Sequence, residues 1–548
     1  MKGFSKALVL ALMCAAIGYC SMRGVHTQVP TCLTTTVSGA VQGLDRGASC
    51  AFLGVRFAAP PTGVFRWRAP QPAPAWAPEL LRAMTPPPVC AQLNAANGQP
   101  LGIEDCLMLN IWTPNPLPAA GAPVIVWFHP GAFVNASANF APQNGERLSA
   151  LTGAIVVAPN YRLGPFGYLA HRALASEGGT PGNYGLLDQR AALAWIHDHI
   201  EAFGGDPVNV TIAGQSAGAH SVSLHLVSPG SAGLFRRAIM QSGYASFRMR
   251  SAADGEAQGD RFAAALGCTG PDSSALLACL RAIDRDRVLF AHPPNLFEQF
   301  SETGRTQWTP IVDGLEIPEQ PRVLFEQGAF NRVPVLLGAN RDEGWMFVNR
   351  SFPAGLTASQ YGAAVDAEFG GDAAAILSEY PLADYASPKD ALARLVGDAE
   401  YACEARRVAR LIERTKTPVF LYSFEYEVDP VVVDRVVHGL DVNFVFGNNF
   451  GPPLFPAYAL GEADRVLSEM MAGYWARFAA TGNPKADDPT VVSWPPFKHP
   501  TGEGRGSDNY LAFDVAVGVN QRLREARCNV WQPRFIRSIT GDVPASIP

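Results

Sequence analysis

Short apolar runs alternate along the chain with longer segments of helical character. The runs are four to six residues long and rich in β-branched residues, which favours buried strands, and they occupy residues 123–128, 154–158, 209–213, 333–337 and 419–422. Helices are predicted over residues 186–199 and 217–226. Strands that alternate with helices predict an α/β protein with a central, mostly parallel sheet, helices on both faces and long insertions.

The first twenty residues have the pattern of a secretory signal peptide. Two lysines precede an apolar stretch at residues 7–17, which is shorter than the roughly 20 residues of a membrane span. Cleavage could follow Gly18 or Cys20, and the bulky residue before Cys20 disfavours a lipid anchor there. A secreted or periplasmic protein is therefore expected.

Residues 21–548 show no linker, internal repeat or low-complexity run, and no later segment resembles a membrane span, which predicts a single domain. The net charge is −6 and no basic block is present. Because nucleic-acid binding requires a basic surface that neutralises phosphates, no nucleic-acid partner is expected. The oligomeric state is left open.

Cysteine usage fits an exported protein. Ten cysteines are present, and eight remain if a signal peptide is removed after Cys20. An even number in an exported chain predicts disulfides, although eight cysteines allow on the order of 100 pairings. No Cys-x-x-Cys pair or Cys/His cluster suggests zinc, so no metal is expected.

Residues 214–218 read G-Q-S-A-G and match the nucleophile elbow, G-x-S-x-G. The match alone is weak, because glycine and serine are common. A predicted strand enters the motif and a predicted helix leaves it, which is the setting that presents a serine hydroxyl at a sharp turn. Ser216 is therefore the predicted nucleophile, and this order of elements indicates an α/β-hydrolase fold.

A serine nucleophile requires a base and an acid, which follow it in the order acid then histidine in such folds. The histidines beyond Ser216 are His220, His225, His292, His438 and His499. His438 follows the late strand at 419–422, which suits a catalytic loop. Asp342 and Glu343 both follow the strand at 333–337, so the residue pattern leaves the acid open between them.

The oxyanion of acyl transfer is stabilised by backbone N–H groups near the nucleophile. Residues 129–133 read H-P-G-A-F and resemble the glycine-rich loop of esterases. The predicted donors are the amides of Gly131, Ala132 and Ala217.

Motifs along nearly the whole chain resemble those of the type-B carboxylesterases, the family that includes cholinesterases and bacterial para-nitrobenzyl esterases. These motifs are FAAPP at 57–61, EDCLMLNIW at 104–112, NYRLGPFG at 160–167, GNYGLLDQ at 182–189, FGGDP at 203–207, FVFG at 444–447 and WARFAATGNP at 475–484. The resemblance implies an α/β-hydrolase fold and ester hydrolysis without a cofactor.

The resemblance also assigns residues. It implies Glu343 as the acid and His438 as the base, with Ser242 supporting the acid. It further implies disulfides that pair Cys90 with Cys106, Cys268 with Cys279, and Cys403 with Cys528, which leaves Cys32 with Cys50.

Three residues depart from the family pattern. Gln215 stands where the family usually has glutamate before the nucleophile. Pro130 replaces the first glycine of the oxyanion loop and has no N–H to donate. Ala132 keeps its amide but adds a methyl group. Because the first loop position is not the principal donor in relatives, an oxyanion hole is still expected.

The expected function is hydrolysis of neutral carboxylic esters through an acyl-enzyme on Ser216, with small-molecule substrates whose acyl groups can be larger than acetyl. Cholinesterases hold a quaternary ammonium on a tryptophan just before the Glu-Asp-Cys motif, whereas residues 91–102 of this chain contain no aromatic residue. Gly304 and Thr306 replace two phenylalanines of small acyl pockets. Two alternatives remain: a lipase for longer-chain esters, and a catalytically silent binding or adhesion homologue. The presence of Ser216, Glu343 and His438 disfavours the second.

Overall fold

A twisted sheet of eleven strands forms the centre of the protein. A computed structural model describes residues 32–119, 121–177, 180–244, 249–291, 308–429, 433–451, 455–499 and 507–531. The predicted signal peptide at residues 1–20 lies outside these ranges, as do Gly304, Thr306 and His292.

The described strands are short. They are β1 (Leu33–Thr36), β2 (Gly39–Gln42), β3 (Leu44–Asp45), β4 (Ser49–Arg56), β5 (Leu80–Arg82), β6 (Gln92–Leu93), β7 (Pro100–Leu101), β8 (Met108–Pro114), β9 (Ala122–Phe128), β10 (Ile155–Pro159), β11 (Gly205–Gln215), β12 (Arg237–Gln241), β13 (Arg250–Ser251), β14 (Ile311–Val312), β15 (Val335–Asn340), β16 (Val419–Phe424), β17 (Asn509–Phe513) and β18 (Gly518–Gln521).

The described α-helices are α1 (Glu146–Thr152), α2 (Gly164–Tyr168), α3 (Arg172–Ala175), α4 (Tyr184–His199), α5 (Ala217–Val227), α6 (Ala252–Ala265), α7 (Ser273–Ala282), α8 (Arg285–Phe290), α9 (Pro321–Gln327), α10 (Trp345–Ser351), α11 (Ala358–Phe369), α12 (Ala373–Glu379), α13 (Pro388–Gly397), α14 (Cys403–Arg414), α15 (Leu440–Phe446) and α16 (Glu462–Thr481). A π-helix (Asp398–Ala402) joins α13 to α14. Short 3-10 helices span Gly63–Phe65, Ala141–Gln143, Ile200–Phe203, Pro229–Ser231, Gly370–Asp372 and Leu382–Asp384.

The strand order of the large sheet is β18-β17-β16-β15-β12-β11-β9-β10-β8-β4-β3. Neighbours from β17 to β10 pair in parallel, whereas both ends of the sheet are antiparallel. The predicted mostly parallel sheet is therefore confirmed. The long insertions lie between β12 and β15 and between β15 and β16.

Both faces of the central strands are buried, which explains why they read as short apolar runs without alternation. In β9, Val124 and Val126 pack into a core that includes Leu193 of α4 and Val222 of α5. The alternate residues Ile125 and Trp127 pack on the opposite face, in a core that includes Trp475 of α16. The helices therefore cover both faces of the sheet, as predicted.

Four disulfides cross-link the chain, between Cys32 and Cys50, Cys90 and Cys106, Cys268 and Cys279, and Cys403 and Cys528. The last three are the pairs that the resemblance implied, and the first is the pair that then remained. The last joins residues 125 positions apart and ties α14 to the segment near the end of the described chain.

Replacing both Cys268 and Cys279 by alanine is expected to lower the free energy of unfolding by about 3 kcal/mol, because the unfolded chain gains the entropy of an opened loop of 11 residues. The same change at Cys403 and Cys528 should cost about 5 kcal/mol, since closure entropy grows with the logarithm of loop length. Denaturant unfolding measures both values. Free thiols at Cys268 and Cys279 in the wild-type protein, found by non-reducing peptide mapping, would contradict this pairing.

Candidate active site

The predicted nucleophile sits at a sharp turn between β11 and α5. Ser216 has φ 55° and ψ −124°, a conformation that non-glycine residues rarely adopt, and its side chain is half-buried. Its backbone N–H donates to the carbonyl of Gln241 at 2.9 Å, so the turn is held by the neighbouring strand β12. The strained turn presents the hydroxyl beyond the carboxyl end of the sheet.

Two glycines make this turn possible because the backbones on either side of it approach closely. A Cβ atom on Gly218 would lie 1.9 Å from the carbonyl oxygen of Phe128 in β9. A Cβ atom on Gly214 would lie 2.4 Å from the carbonyl carbon of Gly218. Any larger residue at either position would push α5 away from the sheet and displace Ser216.

The structure brings Glu343 and His438 into direct contact. Glu343 follows β15 and is fully buried, and His438 lies in the loop between β16 and α15. The Nδ1 atom of His438 is 2.5 Å from Oε2 of Glu343. Because a carboxylate only accepts, Nδ1 carries the proton and Nε2 presents a lone pair.

Asp342, the other acidic candidate, faces elsewhere. Its carboxylate forms ion pairs with Arg341 at 3.0 Å and with Arg394 at 3.2 Å. It also accepts a hydrogen bond from the backbone N–H of Val436 at 3.1 Å. Of the two candidates that the residue pattern left open, only Glu343 contacts the histidine.

The lone pair of His438 faces Gln215 in this structure. The Nε2 atom of Gln215 lies 3.0 Å from Nε2 of His438, so the amide donates to the ring. No hydrogen bond joins the described side chains of Ser216 and His438. The residue that departs from the family pattern therefore donates to the nitrogen that would accept the proton of a serine nucleophile.

The predicted oxyanion loop adopts a glycine-dependent conformation. Gly131 has φ 115°, and a Cβ atom there would lie 2.1 Å from the carbonyl oxygen of Asn135. Ala132 follows with φ 53°. The amides of Gly131, Ala132 and Ala217 donate to no acceptor within the described residues, so all three are available to a ligand. Pro130 begins the turn without a donor of its own.

Ser242 does not form the expected contact with the acid. It lies just after β12 with φ 53° and is fully buried, yet its hydroxyl has no hydrogen-bond partner within the described part of the chain. The backbone N–H of Asn340 instead donates to Oε1 of Glu343 at 2.6 Å. Among the described residues, the contact that the resemblance implied for Ser242 is therefore not formed, and the end of β15 contacts Glu343 instead.

Two aromatic rings enclose His438. The ring centroids of Phe347 and Tyr401 each lie 5.1 Å from that of the imidazole, and the two rings stack on each other at 6.1 Å. Both aromatic side chains are buried. Tyr401 comes from the π-helix between α13 and α14, and no pattern in the sequence singles it out. His438 itself is buried, with 5% of its surface exposed.

A second histidine lies near the first. His220 is one helical turn after Ser216 and its ring stacks with Phe133 of the oxyanion loop at 6.3 Å. Burial lowers the pKa of His220 to about 3, and the nearby His438 contributes to this shift. His220 is therefore uncharged at neutral pH.

A buried carboxylate underlies the site. Asp441 accepts hydrogen bonds from the Tyr422 hydroxyl at 2.7 Å and from the Gln241 amide at 2.8 Å. Burial raises the pKa of Asp441, although the bond from Tyr422 opposes the shift. Sequence reasoning assigned no role to this residue, because an aspartate three positions after a histidine has no distinctive spacing.

Neither a metal cluster nor a membrane-spanning helix occurs in the described part of the chain. No group of three or more His, Cys, Asp or Glu side chains there could hold a metal ion. None of the helices there is long and apolar enough to cross a bilayer.

A mostly parallel sheet with a strained serine turn between a strand and a helix defines the α/β-hydrolase class. Within that class, the chain belongs to the carboxylesterase family, whose family model matches residues 26–531. It is accordingly a serine hydrolase that acts on carboxylic esters.

Proposed function

We propose that this protein hydrolyses neutral carboxylic esters through an acyl-enzyme on Ser216. The observation that carries the proposal is the buried Glu343–His438 contact of 2.5 Å beside the serine turn. A serine hydroxyl is a weak nucleophile until a base takes its proton, and the base in turn needs a partner that fixes its tautomer. Glu343 supplies that partner.

Acylation begins when Ser216 attacks the ester carbonyl and its proton moves to Nε2 of His438. The amide of Gln215 must first give up its contact with that nitrogen. Gln215 directly precedes Ser216 in the chain and contacts Nε2, so in this step the hydroxyl of the next residue replaces one donor by another. The imidazolium that results is stabilised by the Glu343 carboxylate.

Collapse of the tetrahedral intermediate releases the alcohol and leaves the acyl group on Ser216. The amides of Gly131, Ala132 and Ala217 stabilise the negative oxygen of each intermediate. Water then donates a proton to His438 as its oxygen attacks the acyl carbonyl, and the carboxylic acid leaves. Each proton taken by His438 is returned, first to the alcohol and then to Ser216.

The preference for neutral esters is supported by the residues around the site. Residues 91–102 contain no aromatic ring that could hold a quaternary ammonium. Gln215 is uncharged, and Tyr168 is buried against Phe133, which leaves its ring unavailable to substrate. The expected wider acyl pocket depends on Gly304 and Thr306, which lie outside the described residues.

A panel of esters tests this proposal. The value of kcat/KM for an uncharged acetyl ester should be at least equal to that for acetylcholine of the same size, because the chain lacks the cation–π contact of about 0.5–2 kcal/mol that would favour acetylcholine by about 2- to 30-fold. The values of kcat/KM for the butanoyl and hexanoyl esters should be comparable to the value for the acetyl ester. A preference for acetylcholine would contradict the neutral-ester proposal, and a sharp decline from acetyl to butanoyl would contradict the wider pocket alone.

We also propose that the protein works outside the cytoplasm, in a secreted or periplasmic location. Four disulfides support this location, because such bonds persist in oxidising compartments.

A further inference from the structure

We propose that Asn340 is a positioning residue that holds the loop carrying His438 against the segment carrying Glu343. The inference rests on the proposed function, since it assigns Asn340 a role in the same reaction. Asn340 is the last residue of β15 and is 1% exposed. It touches neither Ser216 nor the predicted oxyanion donors, and it acts only through the acid and the base.

Asn340 contacts both partners with two different groups. Its backbone N–H donates to Oε1 of Glu343 at 2.6 Å. Its side-chain Nδ2 donates to the carbonyl oxygen of Val437 at 2.7 Å. That carbonyl belongs to the peptide bond that carries the nitrogen of His438. One residue therefore fixes a carboxylate oxygen of the acid and the peptide plane from which the imidazole projects.

The loop needs such an anchor because it has no regular secondary structure. Residues 433–439 precede α15 without forming a helix or strand. A second anchor lies one residue earlier, where Asp342 and Val436 exchange two hydrogen bonds, at 2.8 and 3.1 Å. The carbonyl of Val437 also accepts a local turn bond from the N–H of Leu440 at 3.2 Å, but among the described residues the bond from Asn340 is the one that ties this peptide, next to His438, to the segment carrying Glu343.

Asp441 determines which way the amide of Asn340 points. Its Oδ1 accepts from Nδ2 of Asn340 at 3.3 Å, and its Oδ2 accepts from Tyr422 and Gln241. The Gln241 amide is itself oriented, because its oxygen accepts from the indole N–H of Trp475 at 2.9 Å. If the amide of Asn340 were flipped, its oxygen would face the acceptor oxygens of Asp441 and Val437, and neither hydrogen bond could form. Only the observed orientation is therefore compatible with this network.

Replacing Asn340 by alanine removes the bond to Val437 and keeps the backbone bond to Glu343. We expect kcat to fall about 100-fold, because small misplacements of a catalytic group have effects of that size, while KM changes less than about threefold. The low-field proton resonance of His438 Nδ1–H should broaden or shift upfield as the contact with Glu343 lengthens. A purely structural role would lower stability without moving this resonance in the folded enzyme.

Asn443 offers a matched control. It is also a fully buried asparagine, and its Nδ2 donates to the carbonyls of Asn448 at 3.2 Å and Asn449 at 3.1 Å. Replacing it by alanine breaks side-chain bonds to a loop that carries no predicted catalytic residue. We expect a comparable loss of stability, with kcat within about threefold of wild type and an unchanged resonance.

A double variant, Asn340→Asp with Asp441→Asn, remains informative if Asn340→Ala does not fold. It preserves the net charge and one hydrogen bond between the two positions but removes the side-chain donor to the carbonyl of Val437, which keeps only its turn bond from Leu440. The proposal predicts a low kcat for this variant too. A kcat within threefold of wild type in either Asn340 variant, or an equal loss in Asn443→Ala, would overturn it. The underlying ester-hydrolase mechanism fails separately, if Ser216→Ala retains turnover.

Discussion

Replacing Ser216 by alanine is expected to lower kcat by about 10⁶-fold on a short-chain nitrophenyl ester, because the members of a catalytic triad act as a unit. The folded state should survive this change. Alanine tolerates the turn conformation of φ 55° no worse than serine does. The Ser216 hydroxyl donates to no other described residue, so no buried acceptor loses a hydrogen bond when the hydroxyl is removed.

The measurement combines steady-state kinetics with the intact mass of enzyme quenched during turnover. Wild type should carry one acyl group, and Ser216→Ala should carry none. Ser221 provides the control on the same helix, α5, where its hydroxyl donates to the carbonyl of Ala217 at 3.0 Å and accepts from Gln189 at 3.0 Å. Ser221→Ala should lose about 1 kcal/mol of stability and keep its kcat. Near-normal turnover by Ser216→Ala would refute the proposed nucleophile.

The central sheet could be predicted because strands that are buried on both faces appear in the sequence as continuous apolar runs. The run at 123–128 is apolar at almost every position, and it forms β9, whose side chains enter two separate cores. Predicted boundaries differ from those observed by a few residues. The strand at 209–213 continues to Gln215, because that residue still pairs with Gln241 of β12.

Contacts between distant segments could not be predicted from local pattern. Asn340 and Val437 are 97 positions apart, and nothing in either segment specifies that an amide of one will meet a carbonyl of the other. The resemblance assigned Ser242 to support the acid, but side-chain direction depends on packing. In this chain the backbone of Asn340 takes that place. Tyr401 was missed for the same reason, since a π-helix determines where its ring lies.

Replacing Glu343 by glutamine is expected to lower kcat by about 10⁴-fold, by analogy with a triad aspartate changed to asparagine. Glutamine keeps the shape but has one acceptor oxygen where the carboxylate has two. The carboxylate accepts from Asn340 on Oε1 and from His438 on Oε2. If the amide oxygen keeps the bond to Asn340, its NH₂ group faces Nδ1 and favours the tautomer with the proton on Nε2. That tautomer has no lone pair for the Ser216 proton.

Gln215 does not restore the reactive tautomer of His438 in Glu343→Gln, because its amide can pair with Nε2 in either tautomer. The loss of kcat is therefore not offset by Gln215. Its NH₂ group donates to Nε2 at present, but after an amide flip its oxygen could accept from an Nε2–H. The choice of tautomer therefore falls to Glu343 alone. Nitrogen NMR of His438 should report the proton on Nδ1 in wild type and on Nε2 in Glu343→Gln.

The control is Asp342→Asn, which keeps an acceptor for Val436. This variant should retain kcat within about tenfold, since Asp342 pairs with arginines and does not contact His438. If Asp342→Asn were the damaging change and Glu343→Gln the mild one, the acid would be assigned one residue too late.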